Sequence, residues 1–283
     1  MTFDPETFRA ESRKGWDRAA AGWTARRESI QRDALPVSRW LVDALDPQPG
    51  QTLMEVAAGL GDTGLLAAAR VEPGGEVIIT DGSEVMVTAA QEHARAAGAE
   101  NVQVRQMEAE WLDQGTATVD GVLSRWGYML LADPEAALRE ARRVLRPGGR
   151  IALAAWDPVE DNPWIGTMLR GLSEQGIAPL PQPGVPGMFA LAAPGRVEEL
   201  LAAAGFAEIR RESLDFTFHA ESLDAWWDHQ RTVSVSLSDV FTRLSPAEHY
   251  ALRDAIDVGY AQWVAADGSV GLPARALVAA AEA

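Results

Sequence analysis

Cysteine is absent from all 283 residues, which removes disulfides, thiolate catalysis and cysteine-ligated zinc from consideration. Histidine is scarce. His93, His219, His229 and His249 are scattered, with no His-x-x-x-His pair and no acid-rich loop beside them, so no metal site is expected and the chemistry is read as metal-independent. Positive charge is in deficit, 25 basic side chains against 41 acidic ones for a formal net charge of −16, and such a surface repels phosphate backbones and anionic membranes. A small-molecule partner is therefore expected, with no nucleic acid and no membrane. Arg139, Arg142, Arg143, Arg146 and Arg150 form a local basic cluster, but Glu140 and Pro147 interrupt it, and the run reads as a solvated helix face. No apolar run approaches the roughly 18 residues of a membrane span, and the first ten residues lack the charged-then-apolar pattern of a signal peptide. The expectation is a soluble, cytoplasmic protein. Nothing in the sequence sets an oligomeric state.

With 47% apolar residues the chain can bury a substantial core. Apolar stripes predict helices at 6–30 and 34–45, carrying Trp16, Trp23, Ile30, Leu35, Trp40, Leu41 and Leu45. Pro47, Pro49 and Gly50 then stop the chain, and strands alternate with helices: strands at 52–57, 76–81, 102–107, 119–124 and 150–156, helices at 62–71, 83–97 and 134–145. Alternation of this kind requires right-handed crossovers and an α/β, doubly wound, mostly parallel sheet. Residues 158–195 are crowded with proline and glycine and read as an irregular cap. A helix at 196–204, a strand at 206–218, helices at 222–233 and 246–265 and a strand at 275–281 complete the chain. The expected organisation is 1–48 as N-terminal helices over a ligand site, 49–157 as the ligand-binding core, 158–195 as the cap, and 196–283 as the rest of the sheet with inserted helices at 222–266.

The most informative stretch is Leu53 to Gly64, where an apolar run ends in Glu55 and opens into a glycine turn before a helix. Gly59, Gly61 and Gly64 spell G-x-G-x-x-G, a pattern in which missing side chains let the backbone approach a nucleotide and a helix pack on its strand. Glu55 at the strand end would repel a pyrophosphate and attract a cationic amino group, which favours S-adenosylmethionine over NAD. In a doubly wound sheet ligands bind beyond the carboxyl ends of the strands. Glu55, Asp81, Glu108, and Ser124 with Arg125 stand at four such ends and should converge. Asp81 lies 81 − 61 = 20 residues beyond Gly61, the separation at which an acid meets the hydroxyls of a ribose, although Asp81-Gly82-Ser83 also has the form of a helix N-cap.

These motifs taken in order, Glu55 to Gly61, Thr80 to Met86, Met107 to Glu110, Ser124 to Gly127 and Arg143 to Gly149, resemble the class I S-adenosylmethionine-dependent methyltransferases, in the ubiquinone/menaquinone-biosynthesis-like branch. The resemblance covers about residues 50–156 and implies a Rossmann-like, seven-stranded sheet. It implies that Glu55 and the backbone of Ala57, Gly59 and Gly61 meet the methionine end of the cofactor, that Asp81 with Gly82 holds the ribose, that Met86 packs on adenine, and that Glu108 and Ala109 pair with the adenine edge. The Ser124-Arg125 backbone lines the methyl-transfer end. Trp23 falls where related enzymes place an aromatic near the cofactor carboxylate, or else pins an N-terminal helix to the core. Ala57 departs from the family's first glycine, and Glu55 and Glu108 stand where aspartate is common.

Beyond the cofactor, Trp126, Trp156, Trp164 and Trp226 would suit a planar acceptor if they face one cavity, and core packing accounts for them equally. His229 is the best-placed base should the nucleophile need to lose a proton. The function expected is methyl transfer to a small-molecule oxygen, nitrogen or carbon. An NAD-dependent oxidoreductase built on the glycine turn, or a cofactor-binding protein without catalysis, are the alternatives.

Overall fold

The computed structural model describes residues 4–283. Its helices are α1 (Pro5–Ala25), α2 (Arg27–Leu45), α3 (Asp62–Val71), α4 (Glu84–Ala96), α5 (Pro134–Val144), α6 (Pro163–Glu174), α7 (Arg196–Ala203), α8 (Leu223–Val233), α9 (Val235–Arg243) and α10 (Pro246–Tyr260). Its strands are β1 (Thr52–Glu55), β2 (Glu76–Asp81), β3 (Val102–Gln106), β4 (Val119–Arg125), β5 (Leu145–Trp156), β6 (Ala207–Ala220) and β7 (Val270–Glu282). They form one seven-stranded sheet in the order β3-β2-β1-β4-β5-β7-β6. β1 to β5 pair in parallel, while β7 is antiparallel to both β5 and β6. The order reverses between β1 and β4, so the carboxyl ends of these two strands flank the crevice where such a sheet binds its ligand. Both faces are covered, and the interior of β1, β2 and β4 is accordingly near-continuous in apolar residues, Leu53, Met54, Val77, Ile78, Ile79, Val122 and Leu123 all being buried. Among the described residues no helix is long and apolar enough to cross a membrane.

Several segments differ from the sequence expectation, among them α9, which lies between the two expected helices, and β5, which starts five residues early. The first break lies at Arg26, not near residue 32, and α2 then runs unbroken through Pro36. Residues 158–195 contain α6, opened by Pro163 at its first position, where the missing N–H costs nothing. Gly171 sits within α6 because a Cβ there would collide with Ile256 of α10, so this glycine permits close helix packing and does not break the helix. β7 begins five residues earlier than expected and passes through Pro273. That proline pairs only with Thr217 of β6, since the pairing with β5 starts at Ala276, so its absent N–H removes no bond to β5.

α1 lies between the core and the helices α8 and α9. On one side Ala20 packs with Leu60 and Met86 in a small apolar cluster bordered by Trp16 and Trp23, apart from the main core. On the other, Gly15 abuts Val235, Gly22 abuts the Thr232 carbonyl, and the Trp23 indole N–H donates to Val233 O at 2.8 Å. Alanine in a helix interior normally gains roughly 0.5–1 kcal/mol over glycine. Gly22→Ala should do the reverse, because the added methyl would drive α1 off α8, and overpacking of this kind costs about 1–3 kcal/mol. A thermal melt decides it: the midpoint should fall, and a rise would mean that this contact is loose.

Candidate active site

The turn between β1 and α3 is wound by residues with left-handed backbone, Ala57 (φ 51°), Gly59 (φ 56°) and Gly61 (φ 78°). The glycines are there for different reasons. A Cβ on Gly59 would meet nothing within 4 Å, so the backbone is bare toward open space. A Cβ on Gly61 would stand 3.0 Å from Ile79, and one on Gly64 would stand 2.6 Å from Glu55 Oε2 and 2.8 Å from Ile79, so these two let α3 press onto the sheet. Ala57 keeps its methyl group in the left-handed region at a cost of roughly 1–2 kcal/mol. Gly127 makes the room, since a Cβ there would lie 2.6 Å from that of Ala57. Gly59→Val should leave the core packing intact and lower cofactor affinity at least tenfold, because a β-branched side chain strains the left-handed backbone of the turn and fills the space above it. Titration with S-adenosylhomocysteine tests this, and undiminished binding would place the ligand elsewhere.

Beneath the turn Glu55 is buried, and its Oε2 accepts the Gly64 N–H at 2.7 Å. Burial pushes its pKa up to about 8, against the pull of the Gly64 N–H and of the Arg125 charge. The carboxyl expected to face a cationic ligand thus supports the first turn of α3 from below, and its burial favours the neutral form. Arg125, expected to offer only its backbone, turns its guanidinium toward α2, where Nη1 donates to Gln31 Oε1 at 3.0 Å and to Ser38 Oγ at 2.9 Å. Arg27 donates through Nε to Asp62 Oδ1 at 2.7 Å. The other end of the crevice is acidic. Asp81 accepts the Gly59 N–H at 2.8 Å on Oδ2 and the Ser83 N–H at 2.9 Å on Oδ1, fixing the turn and α4 to one carboxylate. Burial raises its pKa, the two N–H donors oppose the rise, and the charges of Glu108 and Asp17 add to it. Asp17 of α1 accepts the Ser83 hydroxyl at 2.6 Å, and Glu108, its carboxylate 3.1 Å from where a Gly82 Cβ would be, is paired with Arg13. Met86 and Ala109 are buried close by.

Past β4 the four tryptophans form one connected assembly. Trp126 stacks on Trp156 (centroids 4.4 Å apart, planes at 14°), Trp156 meets Trp164 at 4.9 Å, and Phe216 and Phe218 of β6 carry the contact to Trp226. His229 lies face to face on Trp226 at 5.2 Å. Burial, then the Arg26 charge, hold its pKa down to about 4. Trp126 has φ 62°, a conformation that strains a bulky residue by about 1–3 kcal/mol and concentrates at functional sites. Ser124 Oγ, Trp126 Nε1, Tyr128 OH and Gln230 Nε2 are buried without a hydrogen-bond partner. Trp164 is satisfied by Asn162 Oδ1 at 3.0 Å, and the Trp23 N–H donates to Val233 O of α8.

A methyltransferase-domain family profile matches residues 53–149. Nocamycin O-methyltransferase of Saccharothrix syringae is 34% identical over 199 residues, covering 67% of this chain and 71% of that protein. The chain belongs to the class I S-adenosylmethionine-dependent methyltransferases. A demethylmenaquinone methyltransferase of Thermus thermophilus is 32% identical over 61% of the methyltransferase and 81% of its own length. Several other curated relatives are matched over less than half of theirs. The YcgJ protein of Bacillus subtilis shares the fold, with a TM-score of 0.58 at 19% identity over 87% of this methyltransferase and 97% of that chain. Sequence motifs located the turn and the strand ends of this methyltransferase. They missed Asp17 and Arg27, which lie on charge-rich helices without a motif, and Tyr128 and Gln230. Phe216 and Phe218 could have been found from their two-residue period along β6.

Proposed function

We propose that the enzyme methylates a hydroxyl group of a planar small molecule held against the wall from Trp126 to Trp226. The observation that carries this reading is the set of orphaned polar atoms beside that wall. Each buried polar group without a partner costs about 1–3 kcal/mol, so a structure that keeps Trp126 Nε1 unpaired within the stacked rings, and Gln230 Nε2 unpaired one turn along α8 from Trp226, is suited to a ring-bearing ligand with oxygen acceptors.

The residues present fit the cofactor: Gly59 is bare toward open space, Ser124 Oγ is buried and unpartnered beside Ala57 and Gly127, and Asp81 keeps lone pairs beyond its two backbone bonds. S-adenosylmethionine supplies an electrophilic methyl group on a cationic sulfur. Asp81, with Gly82, would accept the ribose hydroxyls. Met86 would pack on adenine, while Glu108 accepts from its amino group and the Ala109 N–H donates. The backbone of Ala57, Gly59 and Gly61 would pass along the methionine chain, and that of Ser124 and Arg125 would close the transfer end. The enzyme's chief contribution is alignment, worth roughly 7–11 kcal/mol when two reactants are held in line. The inserted helices α8 to α10 would close the substrate pocket and help exclude water.

Oxygen is favoured over carbon or nitrogen by His229. Its imidazole, pressed on Trp226, is uncharged at neutral pH and can accept a proton, and because burial makes it a weak base it suits an acidic hydroxyl such as a phenol. The O-methyltransferase among the relatives points the same way. The test is incubation with methyl-labelled S-adenosylmethionine and a panel of hydroxylated and unhydroxylated aromatic acceptors, with products assigned by mass spectrometry and NMR. Label on oxygen, lost in His229→Ala, is the expected result; label on carbon or nitrogen overturns the hydroxyl assignment.

A further inference from the structure

Two guanidinium groups, of Arg27 and Arg125, flank the start of α3, with Asp62 and the buried Glu55 beside them. Asp62, the first residue of α3, is 6% exposed and takes both Nε and Nη2 of Arg27 on its Oδ1, each at 2.7 Å. Arg125 also directs its charge at Asp62 and at Glu55. Burial of Glu55 favours its neutral form. Arg27 thus keeps part of its guanidinium unpaired beside a bare turn and a helix N-terminus, in a chain whose net charge is −16. The opposite end of the same crevice, with Asp17, Asp81 and Glu108, is negative. The crevice is therefore electrically polarised along its length.

The two arginines are not equivalent. Arg125 is anchored to Gln31 and Ser38. Arg27 is one-third exposed, and its Nη1 has no partner among the described residues. Trp23, one turn earlier, has its N–H committed to Val233 O. Ser124 Oγ, fully buried and unpartnered beside Ala57, is a second polar atom facing the same turn without a mate.

We propose that Arg27 of α2 is the residue that holds the α-carboxylate of the cofactor, with Asp62 fixing its guanidinium plane so that Nη1 points at the turn. The assignment rests on the S-adenosylmethionine reading above. It gives the N-terminal helices a direct part in cofactor recognition and makes Asp62 a positioning residue.

The experiment is a calorimetric titration of native protein, Arg27→Gln and Arg27→Lys with two ligands, S-adenosylhomocysteine and its decarboxylated analogue, with a thermal melt of each variant. A single charge-assisted contact is worth about 1.5–3 kcal/mol, so Arg27→Gln should weaken S-adenosylhomocysteine roughly ten- to a hundredfold and leave the analogue unchanged. Arg27→Lys should recover part of the loss. Equal weakening of both ligands would make Arg27 merely structural and overturn the assignment, as would no weakening of either. If the native protein binds neither ligand, the cofactor reading itself falls; if it binds both with equal affinity, only the carboxylate contact does.

Discussion

Replacing Asp81 by alanine is expected to weaken cofactor binding by at least a hundredfold while leaving a folded protein. The carboxylate is half-buried, each of its oxygens already accepts one backbone N–H, from Gly59 and Ser83, and each retains a lone pair. Two hydroxyls donating to a charged acceptor contribute about 1.5–3 kcal/mol apiece, and every 1.4 kcal/mol is a factor of about ten in affinity. Asp81→Ala would also free the Gly59 and Ser83 amides, so a modest fall in the melting midpoint should accompany the loss. Asp81→Asn separates the two effects: its amide oxygen can still accept one backbone N–H, its NH2 group cannot accept from a ribose, and binding should stay poor while the midpoint partly recovers. Titration with S-adenosylhomocysteine reads the first effect and calorimetric unfolding the second. Native-like affinity in Asp81→Ala would remove the ribose assignment.

The sheet from β1 to β5 was legible because each of its elements is written in local chemistry. The strand at 76–81 and the helix at 62–71 are found where periodicity and glycine punctuation put them. The cap was harder to read, because long-range packing decides it. Gly166 and Gly171 look like helix breakers in isolation and are close-packing residues of α6 once Val159 and Ile256 are against them. α9 escaped because Ser234 ends one helix and caps the next, its hydroxyl accepting the Leu237 N–H at 3.3 Å, a boundary one residue wide.

The site divides along the same line. The backbone positions Ala57, Gly59 and Gly61 and the acids at the strand ends could be placed from spacing, because spacing determines where a strand stops. Partners could not. That Glu55 supports α3 from below, that Gly127 compensates for the Ala57 methyl, and that Arg27 meets Asp62 across 35 positions of sequence all depend on which elements lie against one another.

Glu55 yields the second large effect, on stability as a function of pH. Its carboxyl titrates at about 8 in the folded protein against 4.5 for a free glutamate, because burial penalises the anion more than the Gly64 N–H and Arg125 stabilise it. The folded state therefore holds this proton more tightly than the unfolded chain does. The resulting stabilisation is whole below about pH 4.5, declines as pH rises, and is gone above about pH 8, a loss on the order of 5 kcal/mol at 1.36 kcal/mol per pH unit between the two values. Glu55→Gln keeps an acceptor for the Gly64 N–H and carries no ionisable proton, so the decline should be absent from it. Urea unfolding at pH 5, 7 and 9 should show the native protein losing stability relative to Glu55→Gln across this interval, with Glu55→Gln the more stable of the two at pH 9 by a few kcal/mol. Parallel profiles for the two proteins would mean that the carboxyl is ionised when folded, and that Arg125 and the helix N-terminus outweigh its burial. The same variant separates two roles for this side chain. If Glu55 only supports the turn, Glu55→Gln should bind S-adenosylhomocysteine as well as the native protein does; if its carboxylate meets the ligand's ammonium group, affinity should fall with the charge.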